Sequence, residues 1–301
     1  MSEVPPLARR RKNFAPYGFL LPSLITILIV IVGPLVLAWV VSFHDVDLVR
    51  NQGRFVFFGL GNYRRLLADA RAGKSILNTL YYVIVAVSLE TLLGLSVALF
   101  LNRKITGKSV VRTLILIPNF ITPVVGSLMW RMFYEPTSGI INYYLRVFGL
   151  PIRPDWLGST QLAMLSIILV DAWMGTAFIT IILVASLEAI PIELYEAAYA
   201  DGASEWKCIR YISLPLILPA IFIAGTLKTI DALKAFDIIY VLTQGGPGGV
   251  SETTNLYAYI VGFKYFQIGY ATTIALVFTL VITTIAGIVI SRVLKRVAVQ
   301  S

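Results

Sequence analysis

Hydrophobic positions along this chain fall in six long runs, and polar residues gather between them. The runs predict spans at about 17–43, 76–101, 113–133, 161–187, 216–242 and 270–294. Each is long enough as a helix to cross a hydrocarbon layer of about 30 Å. Residues 1–16 precede the first span, and the first thirteen are polar and include Arg9-Arg10-Arg11-Lys12. An Arg pair ahead of an apolar run mimics a secretory or twin-arginine signal, but this run is longer than a signal core and has no small-residue cleavage site. It reads as a retained first span, with Pro22, Gly33 and Pro34 as kink points. Pro118 and Pro123 break the third span. Gly59 and Gly61 lead into a short interfacial helix, and Gln244-Gly245-Gly246-Pro247-Gly248-Gly249 is a turn-rich break before an amphipathic helix at about 253–267.

Composition agrees with the pattern. Hydrophobic residues make up 57% and charged residues 14%, where a soluble domain has about a quarter charged. The mean hydropathy is +0.81. The fold class is therefore all-α: a polytopic membrane protein with six transmembrane helices, forming one transmembrane domain over 1–301. Net charge is +9, which reads as bias in the loops facing the cytoplasm, with membrane lipid and not nucleic acid as the surrounding partner. Six spans put both termini on one side. Arg9 to Lys12, Arg103, Lys104, Lys108, Arg112, Lys207, Arg210, Arg292, Lys295 and Arg296 all fall on that side, so both termini and the 188–215 loop are expected in the cytoplasm. Cys208 is the only cysteine and His44 the only histidine, which excludes an intrachain disulfide and makes no case for a histidine metal site. Gly107-Lys108-Ser109 lacks the earlier glycine of a phosphate loop, since that position is Asn102. No nucleotide-binding signature and no catalytic constellation are evident, so no enzyme activity and no cofactor are expected in this chain.

The most polar stretch of the second half runs from Glu196 to Pro215. Pro191 suits a first helical turn, and Glu193 and Glu196 suit the helix N-terminal half. Asp201-Gly202 is a turn, with a second short helix expected from about Ala203 to Tyr211. The stretch reads as a helix–turn–helix between two spans. Glu196, Ala197, Ala198, Gly202, Ile212, Leu214 and Pro215 together resemble, in residues and spacing, the EAA loop of ABC-importer permeases. The resemblance implies a cytoplasmic coupling loop docked on an ATPase. It implies a second, related permease, two cytoplasmic ABC ATPases that bind the ATP and magnesium, an extracytoplasmic solute-binding protein, and a bacterial inner-membrane location. Gly59-Leu60-Gly61-Asn62-Tyr63 and Leu242-Thr243-Gln244-Gly245-Gly246-Pro247 resemble segments of the carbohydrate, polyol and glycerol-phosphate group. Transport by alternating access is what that resemblance implies.

Ionisable residues inside spans mark candidate sites. Asp171, Trp173, Gly175 and Phe178 share one stretch of span four. A carboxylate accepts hydroxyl hydrogens, an indole stacks on a pyranose and glycine leaves room; helix packing is the alternative. In the maltose-type permeases this place supplies a polar residue, a Trp and a Gly to the sugar pocket, and by the same analogy Asn119 and Thr122 join it. Span five carries Lys228, Asp231, Lys234 and Asp237 at i, i+3 steps, read either as a self-neutralising ladder or as substrate contacts. These charges stand where the maltose permease has amides, which points away from maltose itself. Glu90 in span two is isolated; a basic partner on span five and another subunit both remain open. A non-sugar importer and an ion-coupled carrier using the span-five charges are the rival readings.

Overall fold

The computed structural model describes the backbone of residues 15–103, 106–150 and 152–300, and side chains within 20–287. The Arg9–Lys12 run, Lys104 and the side chains of Arg292, Lys295 and Arg296 lie outside those described. Twelve helical segments organise the described residues. They are α1 (15–42), α2 (Gly61–Ala68), α3 (Ala70–Leu101), α4 (Lys108–Leu116), α5 (Pro123–Phe133) and α6 (Ile140–Val147), then α7 (Ala163–Glu188), α8 (Ile192–Ala200), α9 (Glu205–Leu233), α10 (Asp237–Leu242), α11 (254–264) and α12 (Ile268–Gln300). A two-residue ribbon pairs His44 with Phe57 and Asp45 with Val56. It is a small addition to an otherwise all-α fold.

Among the described residues, five helices are long and apolar enough to cross a membrane, and a sixth crossing is counted if a bent pair is one span. That pair is 108–120 with 123–133, bent by 98°. Two prolines explain the break. Pro118 is the second residue of a single 3-10 turn (Ile117–Phe120), and Pro123 forces Thr122 into extended backbone before α5 starts.

Two other prolines produce a different device. In α1 and α9 a π-turn ends just before the residue that precedes a proline, Pro34 and Pro215 respectively. Gly33 N–H donates to Leu28 O and Leu214 N–H to Ile209 O, each five residues back. The widened turn relieves the clash of a proline ring with the carbonyl four residues earlier and lets the helix continue. The second helix of the 188–215 loop is therefore not separate: it runs without interruption into span five.

Span five also ends earlier than the hydropathy suggests. The helix stops at Leu233, where Asn255 Nδ2 caps the Leu233 carbonyl at 3.1 Å. Phe236 leaves helical geometry, and Asp237 opens α10, where a carboxylate suits the helix N-terminus. Lys228 and Asp231 thus share α9, whereas Lys234 and Asp237 stand beyond it. The four charges do not form one continuous helical ladder.

Helix α7 is the central element. It packs along α3 and α9, and most of its length is buried. Gly94 of α3 sets the closest approach, since a Cβ there would lie 2.7 Å from Ile179 Cγ2. Helix α1 leaves almost all its apolar surface exposed, as a lipid-facing helix does.

Away from the 188–205 end, polar bonds tie the loops to the bundle. Arg71 pairs with Glu252 at 2.7 Å, and Asn78 Nδ2 donates to the Gly249 and Glu252 carbonyls. Asp69 caps α3 by accepting from the N–H groups of Arg71 (2.9 Å) and Ala72 (3.2 Å). Tyr257 of α11 and Tyr270 of α12 both donate to its other oxygen at 2.5 Å. Burial alone would raise the Asp69 pKa, but these hydrogen bonds outweigh it and hold the carboxyl below its usual value. The lowered native pKa means the charged form stabilises the fold above the unfolded-state value of about 3.9, a contribution lost as pH falls through the native one. Asp69→Ala is expected to cost about 2–3 kcal/mol at neutral pH and to flatten the acid limb of the stability curve. Thermal unfolding of the purified protein at neutral and acid pH checks both.

Candidate functional site: a charged cavity between spans two to five

A cavity of about 280 Å³ opens where the broken third span meets α3, α7 and α9. Tyr82, Asn119, Asp171, Gly175, Lys228, Asp231, Lys234 and Asp237 are among its walls. Tyr82 Oη donates to Asp171 Oδ2 at 2.5 Å, which orients the carboxylate toward the cavity. Lys228 Nζ lies 3.4 Å from Glu90 Oε1 and 3.4 Å from Asp231 Oδ2. Within this chain the counter-charge of Glu90 is therefore on span five. Glu90 is fully buried, and neither of its oxygens accepts a hydrogen bond among the described residues. An unsolvated carboxylate of this kind persists only with a cation beside it.

Gly175 takes its meaning from that pair. A Cβ there would sit 2.2 Å from Glu90 Oε1 and 2.7 Å from Lys228 Nζ. The missing side chain makes room for the ion pair as well as for the cavity. Gly175→Ala is expected to destabilise by about 1–3 kcal/mol through overpacking. Shortening the acid with Glu90→Asp should recover part of the loss, read as a rise in melting temperature over the single variant.

Of the residues singled out from sequence, Asn119, Asp171, Gly175, Asp231, Lys234 and Asp237 meet at the cavity. Trp173, Phe178 and Thr122 are not among its walls. Two residues along a helix turn the side chain by about 200°, so Trp173 faces away from Asp171. Its ring meets Trp130 edge-on, with centroids 5.5 Å apart. Phe178 packs against a separate core with Ile179 and Leu183. Thr122 is exposed, just ahead of α5. Tyr82 was not anticipated. Its signal is the buried small and polar face of α3, where Ser75, Thr79, Tyr82, Ala86, Glu90 and Gly94 recur at three- or four-residue steps.

The Glu196–Pro215 stretch lies at the opposite end from the Asp69 cap. Helix α8 has no buried residue. It ends with Gly202 at φ +79°, where Ala203 N–H reaches Ala198 O and Gly202 N–H reaches Tyr199 O, a glycine-dependent helix stop. Ser204 caps the next helix through Lys207 N–H, and Tyr195 Oη bonds Ser213 Oγ at 2.9 Å to hold α8 against α9. Glu196 and Ala197 are exposed, as are Gly202 and Pro215; Ala198, Ile212 and Leu214 are half-buried. A groove of about 670 Å³ runs beside α8, with Arg103, Glu188, Glu196 and Tyr199 on its walls.

The sequence pattern of the family "binding-protein-dependent transport system inner membrane component" matches residues 90–299. The chain belongs to that family. This permease is 40% identical over 255 residues to the trehalose/maltose transport system permease MalF of Thermococcus litoralis, covering 84% of this chain and 83% of the relative. It is 35% identical over 235 residues to the trehalose transport system permease SugA of Mycobacterium tuberculosis, covering 78% and 74%. A solved bacterial ABC transporter that imports the acidic polysaccharide alginate shares the fold, with TM-score 0.82 at 22% identity over 94% of this chain and 96% of that one. The carbohydrate-type resemblance read from the EAA stretch and the Gly-Gly-Pro segment is upheld by the family match and the named sugar permeases. The permease is a multi-pass inner-membrane component of an importer of the ABC type.

Proposed function

We propose that this permease forms half of the pathway for a saccharide or related polyol, working by alternating access with a second, related permease. The observation that carries this reading is the cavity itself. It brings carboxylates and one amide, Asn119, from three spans to one water-accessible place, as recognition of several hydroxyls requires. Two sugar-permease relatives of 35–40% identity support it. The chain is read as non-enzymatic, with ATP and magnesium held by two partner ATPases and the solute delivered by an extracytoplasmic binding protein. The exposed α8 with Glu196, Ala197 and Ala198 is the element that would seat on an ATPase; small side chains allow close approach and Glu196 offers a charge. Basic Arg103, Lys108, Arg112, Lys207 and Arg210 lie at the same end, which supports a cytoplasmic position for it and for both termini.

The test is ATP hydrolysis by the complete importer in proteoliposomes. Sugar-loaded binding protein is expected to stimulate hydrolysis and drive uptake. Stimulation by a non-saccharide alone would overturn the substrate class, and transport driven by an ion gradient without ATP would overturn the mechanism.

A further inference from the structure

We propose that Glu90 sets the charge selectivity of the cavity. By drawing the Lys228 ammonium against itself and Asp231, it leaves a site that accepts neutral polyhydroxyl solutes and turns away anionic ones. The inference rests on the saccharide reading and narrows it. Among the described residues, Lys228 is the only cation on the cavity's helical walls, and its side chain is 8% exposed. Its ammonium lies at the same 3.4 Å from Glu90 and from Asp231, so its charge is matched before any solute arrives. Lys234 is the other ammonium on the described walls, with Asp231 and Asp237 three residues to either side. Asp171 adds a third wall carboxylate, held by Tyr82. The described walls therefore carry three carboxylates against two ammoniums, and Glu90 behind them consumes one of the two. A sugar hydroxyl meets acceptors here. A carboxylate or phosphate meets like charge here.

The geometry also explains why the acid is buried. An exposed partner would compete with solute and water for the ammonium; Glu90 sits on the far side of Lys228, in the space that Gly175 leaves. Glu90→Gln keeps the shape, removes the matching charge and frees Lys228 toward the cavity.

The test uses the complete importer in nanodiscs without binding protein, so that the permease itself selects. Thermal unfolding is followed with trehalose, trehalose 6-phosphate and inorganic phosphate at equal concentration and ionic strength. Trehalose is expected to raise the melting temperature and trehalose 6-phosphate to leave it unchanged. In Glu90→Gln the phosphorylated sugar should gain at least about tenfold in apparent affinity. Glu90→Gln with Lys228→Gln should erase that gain. Equal stabilisation of the wild-type complex by both sugars overturns the inference while sparing the saccharide reading, and does so even if the variant fails to fold. An unchanged preference in a folded Glu90→Gln overturns it too. If no saccharide stabilises the complex and another solute does, the saccharide reading falls and the inference falls with it.

Discussion

Lys228→Met is expected to lower the unfolding free energy by about 3–5 kcal/mol, because it leaves Glu90 buried without its cation. Glu90 is 0% exposed and accepts no hydrogen bond among the described residues, so neither water nor another donor replaces the ammonium. The double variant Lys228→Met with Glu90→Leu should recover most of the loss, since well-packed apolar residues often match a buried ion pair. Lys228 also contacts Asp231, but that carboxylate is 75% exposed and water solvates it once the ammonium is gone. The coupling between positions 90 and 228 should therefore exceed that between 228 and 231 in double-mutant cycles. Raising salt should change the first coupling little, because the pair lies out of reach of screening ions. Melting curves of the purified protein in one detergent supply all the numbers. A Lys228→Met variant as stable as wild type would show that Glu90 is not held by this pair.

Glu196→Lys and Gly202→Asp are expected to abolish transport while leaving the protein folded and inserted. Glu196 is exposed on α8 and supports no contact that the fold needs. Gly202 sits at φ +79° with open space around the position of a Cβ, so a side chain there adds some backbone strain but collides with nothing among the described residues. Any large effect must then come from what docks on this surface. If α8 carries the signal between ATPase and pathway, a coupling free energy of about 3 kcal/mol is at stake, roughly a hundredfold in coupled rate. Sugar-stimulated ATP hydrolysis should fall to its unstimulated level, and uptake with it. Unfolding temperature should shift little for Glu196→Lys and modestly for Gly202→Asp, since aspartate tolerates a left-handed backbone better than most residues. Normal uptake by both variants would remove α8 from the coupling path.

Much of the architecture was legible because membrane helices advertise themselves. A hydrocarbon layer demands long apolar runs, and prolines mark where a backbone donor is missing. Spans two and four follow their hydropathy closely, and Pro118 and Pro123 mark the break in span three. Gly202 ends its helix as its place after Asp201 suggests, because a left-handed turn favours a residue without a side chain. What hydropathy mistook is the end of span five. Ala235, Phe236 and the apolar α10 continue the run in composition, yet Asn255 from a later segment caps the helix at Leu233. Long-range capping leaves no mark on a local average. The same holds for the π-turns: the prolines are visible, but a bent helix and a widened one have the same sequence.

By itself, the sequence determined the class, the family and the charges that had to be hidden: apolar length requires a membrane, the EAA spacing identifies the permease, and an acid at position 90 within a span requires a partner. Only the tertiary structure decided who that partner is and what shares the cavity. Asp171 and Trp173 stand two residues apart in the chain but on opposite faces of α7, while Tyr82, Asp171 and Lys228 come from three helices and meet. The physical reason is that helical phase and crossing position, not separation along the chain, set which side chains touch. Local composition carries the first only in part and the second not at all.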